Sequence, residues 1–283
     1  MLWAESVAEL QKMGDLLNDF FVKFGLTISI KKTKSMILNY EDKPENYPKS
    51  IVTIKNENIE NIKVFKYLGV KFDFRQYDTG QTEIKYRINT ANFKFREMDH
   101  VFSNQSIHLS IRLMYYHAYV RSRLCYLCGC WNISQKLRKK IETCHMKHLR
   151  VMVSGGKRRK GGPREMSDEV GYNFAFVYKN LNIYKICKTD SVLNFADAQK
   201  AKWCAHVIRC DNDRVVKQTM FDESQNSREG MKGMTSVLDQ FLKITREHDM
   251  EDGQVYRACI DRNLFCELDT RGVIFASQHD EIE

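Results

Sequence analysis

The chain has 283 residues, 43% of them hydrophobic and 29% charged, which excludes a disordered polyelectrolyte and leaves room for one large domain or two smaller ones. No apolar run approaches the roughly 18–20 residues of a membrane span, Glu5 and Glu9 fall where a signal peptide would be apolar, and nine unevenly spread cysteines suit a reducing compartment better than a disulfide framework. The net charge of +9 is concentrated: residues 85–165 carry 18 Lys and Arg against 4 Asp and Glu, residues 1–84 are balanced at 12 each, and residues 166–283 carry 15 against 20.

Only 3 prolines and 14 glycines leave room for long regular elements. Val7, Leu10, Leu17, Phe20, Phe21 and Phe24 recur at three- and four-residue steps, which predicts a helix over 4–24 stopped by Gly25. Residues 26–30 alternate as a half-buried strand does. A lysine loop at 31–34 then leads to a strand over 35–40. Residues 42–48 hold two of the three prolines and read as an exposed loop. Two further strand regions, 50–55 and 63–74, flank an Asn/Glu-rich turn. From about residue 79 the period changes. Residues 82–101 and 107–125 are amphipathic helix candidates rich in aromatic and basic side chains. Ser134 can cap a helix to about residue 153. Leu137, Ile141, Cys144, Leu149 and Met152 share one side of it, and Lys136, Arg138, Lys139, Lys140, Lys147 and Arg150 cover much of the rest. The run 155–162 is too glycine-rich and too charged to pack. Beyond it, 181–188, 190–210 and 235–246 read as helices, with a loose end of about 15 residues.

Four segments in this order carry a family resemblance. Phe24-Gly25-Leu26-Thr27-Ile28-Ser29-Ile30-Lys31-Lys32-Thr33-Lys34 resembles the palm segment called motif D in reverse transcriptases of non-LTR, LINE-type retrotransposons. Phe65-Lys66-Tyr67-Leu68-Gly69-Val70 resembles their primer grip. Residues 124–131, followed by the basic helix to Arg150, resemble the end of the thumb. Trp203-Cys204-Ala205-His206-Val207-Ile208-Arg209, then Asp213-Arg214, is similar to the helical segment that follows. The order and spacing agree over roughly residues 1–250. Met1-Leu2-Trp3-Ala4-Glu5-Ser6 resembles the sequence after the Tyr-x-Asp-Asp turn, so the resemblance implies a chain that begins just past the catalytic aspartates. Gly129-Cys130 stands where the family has an acidic residue before the tryptophan.

The resemblance implies an α+β fold. It would consist of a partial polymerase palm at 1–75, with a helix and short antiparallel strands, and a basic helical thumb at 76–153. A Gly/Lys/Arg linker at 154–165 and a mostly helical region at 166–283 would follow. Phosphoryl transfer by such enzymes uses paired carboxylates to hold two metal ions about 4 Å apart. The sequence has no adjacent aspartates, so the chain alone is expected to be inactive, with no cofactor of its own and Mg²⁺ only in the intact parent enzyme. An incomplete sheet is expected to leave Ile28, Ile30, Ile37 and Val64 as an uncovered apolar face.

By the motif, Lys32 would protonate the pyrophosphate leaving group; a solvated lysine-rich turn is the plain alternative. The expected nucleic-acid contacts are Lys31, Lys32, Lys34, Phe65, Lys66, Tyr67, Leu68, Gly69, Lys139, Lys140, Lys157, Arg158, Arg159, Lys160 and Arg164. Phe65 and Tyr67 fall on one face of a hairpin and Lys66 on the other. That hairpin can press on a primer end or simply pack. The run 157–160 can act as a phosphate clamp, a nuclear-import signal or a linker. Phe93, Phe95, Tyr115, Tyr116 and Tyr119 are expected in the thumb core. Cys125, Cys128, Cys144 and His148 have ligand types suited to tetrahedral zinc, although buried packing accounts for the cysteines as well. Cys204, His206 and Cys210 lack a fourth ligand nearby. Two alternatives therefore stand beside the polymerase fragment: a non-catalytic nucleic-acid-binding module, and a zinc-containing interaction domain. An intracellular location, nuclear or cytoplasmic, and no membrane partner are expected.

Overall fold

The computed structural model describes residues 1–38, 40, 42–75, 80–154, 179–221, 241, 242, 257 and 259–261. The fold is mixed α+β and mostly helical, with a small strand content. It divides into two compact units, Met1–Glu83 and Ile84–Glu283.

In the first unit, α1 spans Val7–Lys23. Ser6 caps it, its hydroxyl accepting from the Glu9 amide at 3.1 Å. Gly25 ends it at φ +70°, and the Leu26 amide reaches back to the Phe21 carbonyl at 2.9 Å. The expected strand at 26–30 does not form. Among the described residues it has no ladder partner, and the Ser29 carbonyl instead accepts from the Lys32 and Thr33 amides, closing a turn. The following strand shrinks to β1, Lys34–Ser35. β2 (Ser50–Ile54) and β3 (Glu57–Asn61) form a hairpin through Lys55 and Asn56, both with positive φ. The Asn/Glu-rich segment read as a turn is thus itself a strand, in the sheet order β1-β3-β2. β1 runs parallel to β3, against the antiparallel expectation. Gln11 ties α1 to β2: its side-chain amide donates to the Thr53 carbonyl and accepts from the Thr53 amide, both at 2.8 Å. The register shift between Ser50 and Thr53 lies beside this bridge.

Residues 63–74 contain a second hairpin, β4 (Val64–Tyr67) with β5 (Val70–Asp73). Its two-residue turn, Leu68-Gly69, has φ of +46° and +86°, the pattern of a type I′ turn. Tyr47, Ile54, Ile59 and Phe74 are buried in this unit. The unit extends past the expected boundary at 75, because Thr82 donates to Asp73 at 2.9 Å and the Glu83 carboxylate accepts the Lys71 amide at 2.7 Å. Ile28, Ile30 and Ile37 are half-buried, and Val64 is exposed. The larger uncovered apolar surface lies on and just after α1, where Leu16, Phe20 and Phe24 are 70%, 55% and 66% exposed.

The second unit is helical. α2 spans Gln81–Glu97, its first turn counting with the unit before, and α3 spans Asp99–Phe102. α4 (Leu109–Tyr116) runs through a π turn at His117–Arg121 into α5, Ser122–Leu124. A 3₁₀ turn at Cys128–Cys130 leads to α6, Gln135–Ser154. α7 (Asn180–Cys187), α8 (Val192–Ile208) and α9 (Val215–Phe221) follow. One apolar core joins Ile84, Phe95, Phe102, Tyr116, Leu124, Ile141, Leu149 and Met152 to Ile183 and Val192. Two helices of the expected C-terminal region, α7 and α8, therefore pack on the same core as the expected thumb. Ala201, Cys204 and Ala205, on α8, meet Phe241 and Cys259 in a smaller cluster. Among the described residues no helix is long and apolar enough to cross a membrane.

Gly129 sets the approach of α8 to the 3₁₀ turn. A Cβ there would lie 2.8 Å from the Gln199 carbonyl oxygen and 3.1 Å from its carbon, both backbone atoms that cannot swing aside. Gly129→Ala should therefore cost about 2 kcal/mol, within the usual range for overpacking. Urea unfolding reads this directly, and an unchanged midpoint would mean that the helix is not held this close.

Candidate nucleic-acid interface

Among the described residues α6 carries a dense row of exposed positive charge. Its buried side is Leu137, Ile141, Cys144, His145, His148, Leu149 and Met152. Lys136, Lys139, Lys140, Thr143 and Lys147 are exposed, and Arg150 is half-exposed. Positions 136, 140, 143, 147 and 150 follow the three- and four-residue steps of one helix face. No ion pair among the described residues neutralises Lys136, Lys139, Lys140 or Lys147. A groove of about 380 Å³ runs between this face and α2, lined by Ile88, Asn92, Lys139, Lys140, Thr143 and Lys147 among others. On the other flank a hollow of about 250 Å³ is lined by Glu142, Met146, Arg150 and Asn180 among others, and the Arg150 guanidinium donates to Asn180 at 2.9 Å.

The charge count overstates this surface, because several arginines are spent inside the fold. Arg112 is buried and donates to the carbonyls of Ile107, Phe102 and Met152 at 2.9, 3.1 and 2.6 Å. Those of Phe102 and Met152 are orphan acceptors at helix C-terminal ends, where a cation is favoured. Arg87 lies 4.4 Å from the Tyr126 ring centroid, and Arg121 4.4 Å from that of Phe195. Arg138 makes a two-pronged pair with Asp197 at 2.9 and 2.6 Å. On α6 the lysines remain as the outward charge.

The expected contacts divide among three places. Lys139 and Lys140 lie on the α6 face, and Lys136 and Lys147 join them. Lys31 and Lys32 are exposed at the turn after residue 30, while Lys34 pairs with Glu60. In the β4–β5 hairpin the Phe65 and Tyr67 rings stack at 6.4 Å on one side, Lys66 is exposed, and Leu68 is 74% exposed at the Leu68-Gly69 tip. Lys157, Arg158, Arg159, Lys160 and Arg164 lie outside the described residues, as does most of the helix expected at 235–246.

The aromatic expectation is corrected in part. Phe95 and Tyr116 are core, but Phe93, Tyr115 and Tyr119 are 69%, 39% and 44% exposed. Phe93 falls on the opposite side of α2 from Ile84, Ile88 and Phe95, so the helical period turns it away from the core.

The four residues considered for zinc do not converge. Cys144 Sγ lies 3.9 Å from His148 Nε2, but that nitrogen donates to Asn92 Oδ1 at 2.8 Å. Burial pushes the Cys144 thiol up to about 11, away from the thiolate a metal takes. Cys125 and Cys128 hydrogen-bond to each other through their thiols. Among the described residues no three His, Cys, Asp or Glu side chains gather at one point, and the eight described cysteines are free.

Charge patterning gave no sign of a buried polar network beneath the basic face. The Tyr116 hydroxyl lies 2.8 Å from His145 Nδ1 and 3.4 Å from His148 Nδ1. Burial lowers both histidines to about 3; the neighbouring imidazole of His148 adds to the effect on His145, and Lys147 to that on His148. His117 is lowered to about 4 by burial and by Arg121.

No protein-family model, no curated protein and no solved structure matches this chain.

Proposed function

We propose that the chain is part of a LINE-type reverse transcriptase and that its own task is to grip nucleic acid rather than to carry out chemistry. One observation carries the binding half of this reading: four un-neutralised lysines share the outer face of α6, whose inner face is locked into the core. A rigid row of ammonium groups suits the regularly spaced phosphates of a duplex, and it reads no base edges. The four ordered motifs support the descent. The stacked Phe65–Tyr67 pair and the exposed tip of its hairpin are in keeping with a primer-grip role, and Lys31 and Lys32 with a motif D loop. An intracellular setting, nuclear or cytoplasmic, goes with this reading.

The binding half is tested by titrating labelled duplexes of unrelated sequence at low salt. Roughly micromolar affinity, the same for every sequence, is expected. Dependence on one sequence, or no binding, would remove it. For the chemistry, the sequence offers no adjacent aspartates to hold two metals. Protein freed of host polymerase should extend no primer with Mg²⁺ or Mn²⁺, and extension above a no-enzyme control would contradict the non-catalytic assignment.

A further inference from the structure

Three large aromatic side chains are exposed on helices that bury Phe95 and Tyr116. Phe93 crowns the outer side of α2, at 69% exposure, while Phe95 two residues on is in the core. Tyr115 and Tyr119 project from α4 and the π turn after it, and Tyr116 between them is fully buried. The two exposed tyrosines stack on each other, their ring centroids 6.0 Å apart and their planes within 17°. Four residues apart, they lie on one helix face, and the chain between them enters the π turn at His117–Arg121. Such segments recur at functional sites. An already stacked pair is held in register and still presents an outer ring face.

Cations lie beside the tyrosine pair and along α2. The Lys94 ammonium sits 5.7 Å from the Tyr119 ring centroid while also pairing with Glu97 at 2.8 Å. Arg96 is exposed on α2, and Arg123 is held to the Tyr119 carbonyl through Nη1. The combination is a π surface edged with positive charge. A protein partner would be served by the apolar area alone; the basic side chains on the same helices favour a polyanion whose building blocks have flat faces. Unpaired nucleotides supply both, phosphates for the cations and bases for the rings, whereas a duplex keeps its bases stacked on one another.

We propose that Phe93, Tyr115 and Tyr119 form a stacking platform for unpaired nucleotides, served by Lys94, Arg96 and Arg123 and distinct in role from the lysine face of α6. The proposal rests on the nucleic-acid reading above but engages a different substrate, single-stranded rather than duplex. The test uses the full chain with a fluorescent oligothymidylate of about 12 nucleotides and, separately, a duplex of equal length. Phe93→Ala/Tyr115→Ala/Tyr119→Ala should weaken single-strand binding about 10-fold or more, since each base stacked on an aromatic ring contributes substantially. Duplex binding should stay within about 2-fold, because the lysines of α6 are untouched. A second variant, Phe93→Trp, keeps the platform, and its added indole emission should be quenched by oligothymidylate. Circular dichroism of both variants should match that of the parent, the three side chains being solvent-exposed.

Failure to bind oligothymidylate, single-strand affinity unchanged in the triple variant, or equal loss on both ligands would overturn the platform. So would a dimer that dissolves in the triple variant without change in single-strand affinity, which would assign the face to a second copy of the chain. Protein that binds the single strand through these rings but binds no duplex would uphold the platform and defeat the duplex reading, so the two stand or fall separately.

Discussion

Lowering the pH from 7 to 5 should destabilise the helical unit by about 4 kcal/mol, a large part of the stability of an ordinary domain. Two core histidines, His145 and His148, held near a pKa of about 3 by burial, account for this loss, and the less buried His117, lowered to about 4, adds to it in the same direction. In the unfolded chain each titrates near 6.5. Below that pH the unfolded state takes up protons that the folded state refuses, so stability is full above about 6.5 and is lost as pH falls toward 3. At 1.36 kcal/mol for each unit of that interval, each histidine costs about 2 kcal/mol at pH 5. Their neighbours offer no counter-charge: His148 faces Asn92 and the Tyr116 hydroxyl, with Lys147 beside it in sequence, and only a backbone carbonyl at Asp190 favours the charged form of His145. Urea unfolding at pH 7, 6 and 5 measures the slope. His148→Leu should make it shallower by about one proton's worth, 1.4 kcal/mol per pH unit between 5 and 6. Stability that is flat across this range would mean that the histidines are not sealed in.

The second large effect is on binding. Replacing Lys139, Lys140 and Lys147 together with glutamine should weaken duplex affinity by about 100-fold near 0.05 M salt, with each lost phosphate contact contributing roughly a factor of several. All three side chains are exposed, so the unfolding midpoint should barely move. The loss should be equal for every duplex sequence, since a row of lysines reads phosphates and not bases. A variant that keeps its affinity would free α6 from the role given to it here.

The helices were legible where a single period dominates. α6 shows its buried residues at helical spacing, and its polar complement is a row of lysines, so both the element and the candidate face could be read from residues 135–154. α1 carries a hydroxyl cap at Ser6 and a glycine stop at Gly25, and its ends fall within a few residues of expectation. The sheet was less legible because strands are set by partners rather than by local pattern. Residues 26–30 alternate well yet find no ladder partner among the described residues, while Glu57–Asn61, which is polar and lacks that pattern, becomes a strand because β2 folds back onto it. The charge count read a basic segment but not its direction. Arg87, Arg112, Arg121 and Arg138 are drawn inward by rings, helix-end carbonyls and Asp197, which no linear count reveals. The exposed aromatics were misassigned for a similar reason: Phe93 and Phe95 look alike in sequence, and only the phase of the helix separates surface from core. The buried Tyr116–His145–His148 network left no signal, because two histidines three residues apart on an amphipathic helix are unremarkable until a tyrosine from α4 meets them.

The dependence of duplex affinity on salt tests the central claim most directly. If about five phosphates are neutralised, log K should fall with log salt at a slope of about −4 to −5, and the Lys139/Lys140/Lys147 glutamine variant should flatten it to about −2. A parent slope near zero, or a slope that the variant leaves unchanged, would show that charge on α6 is not what holds the nucleic acid.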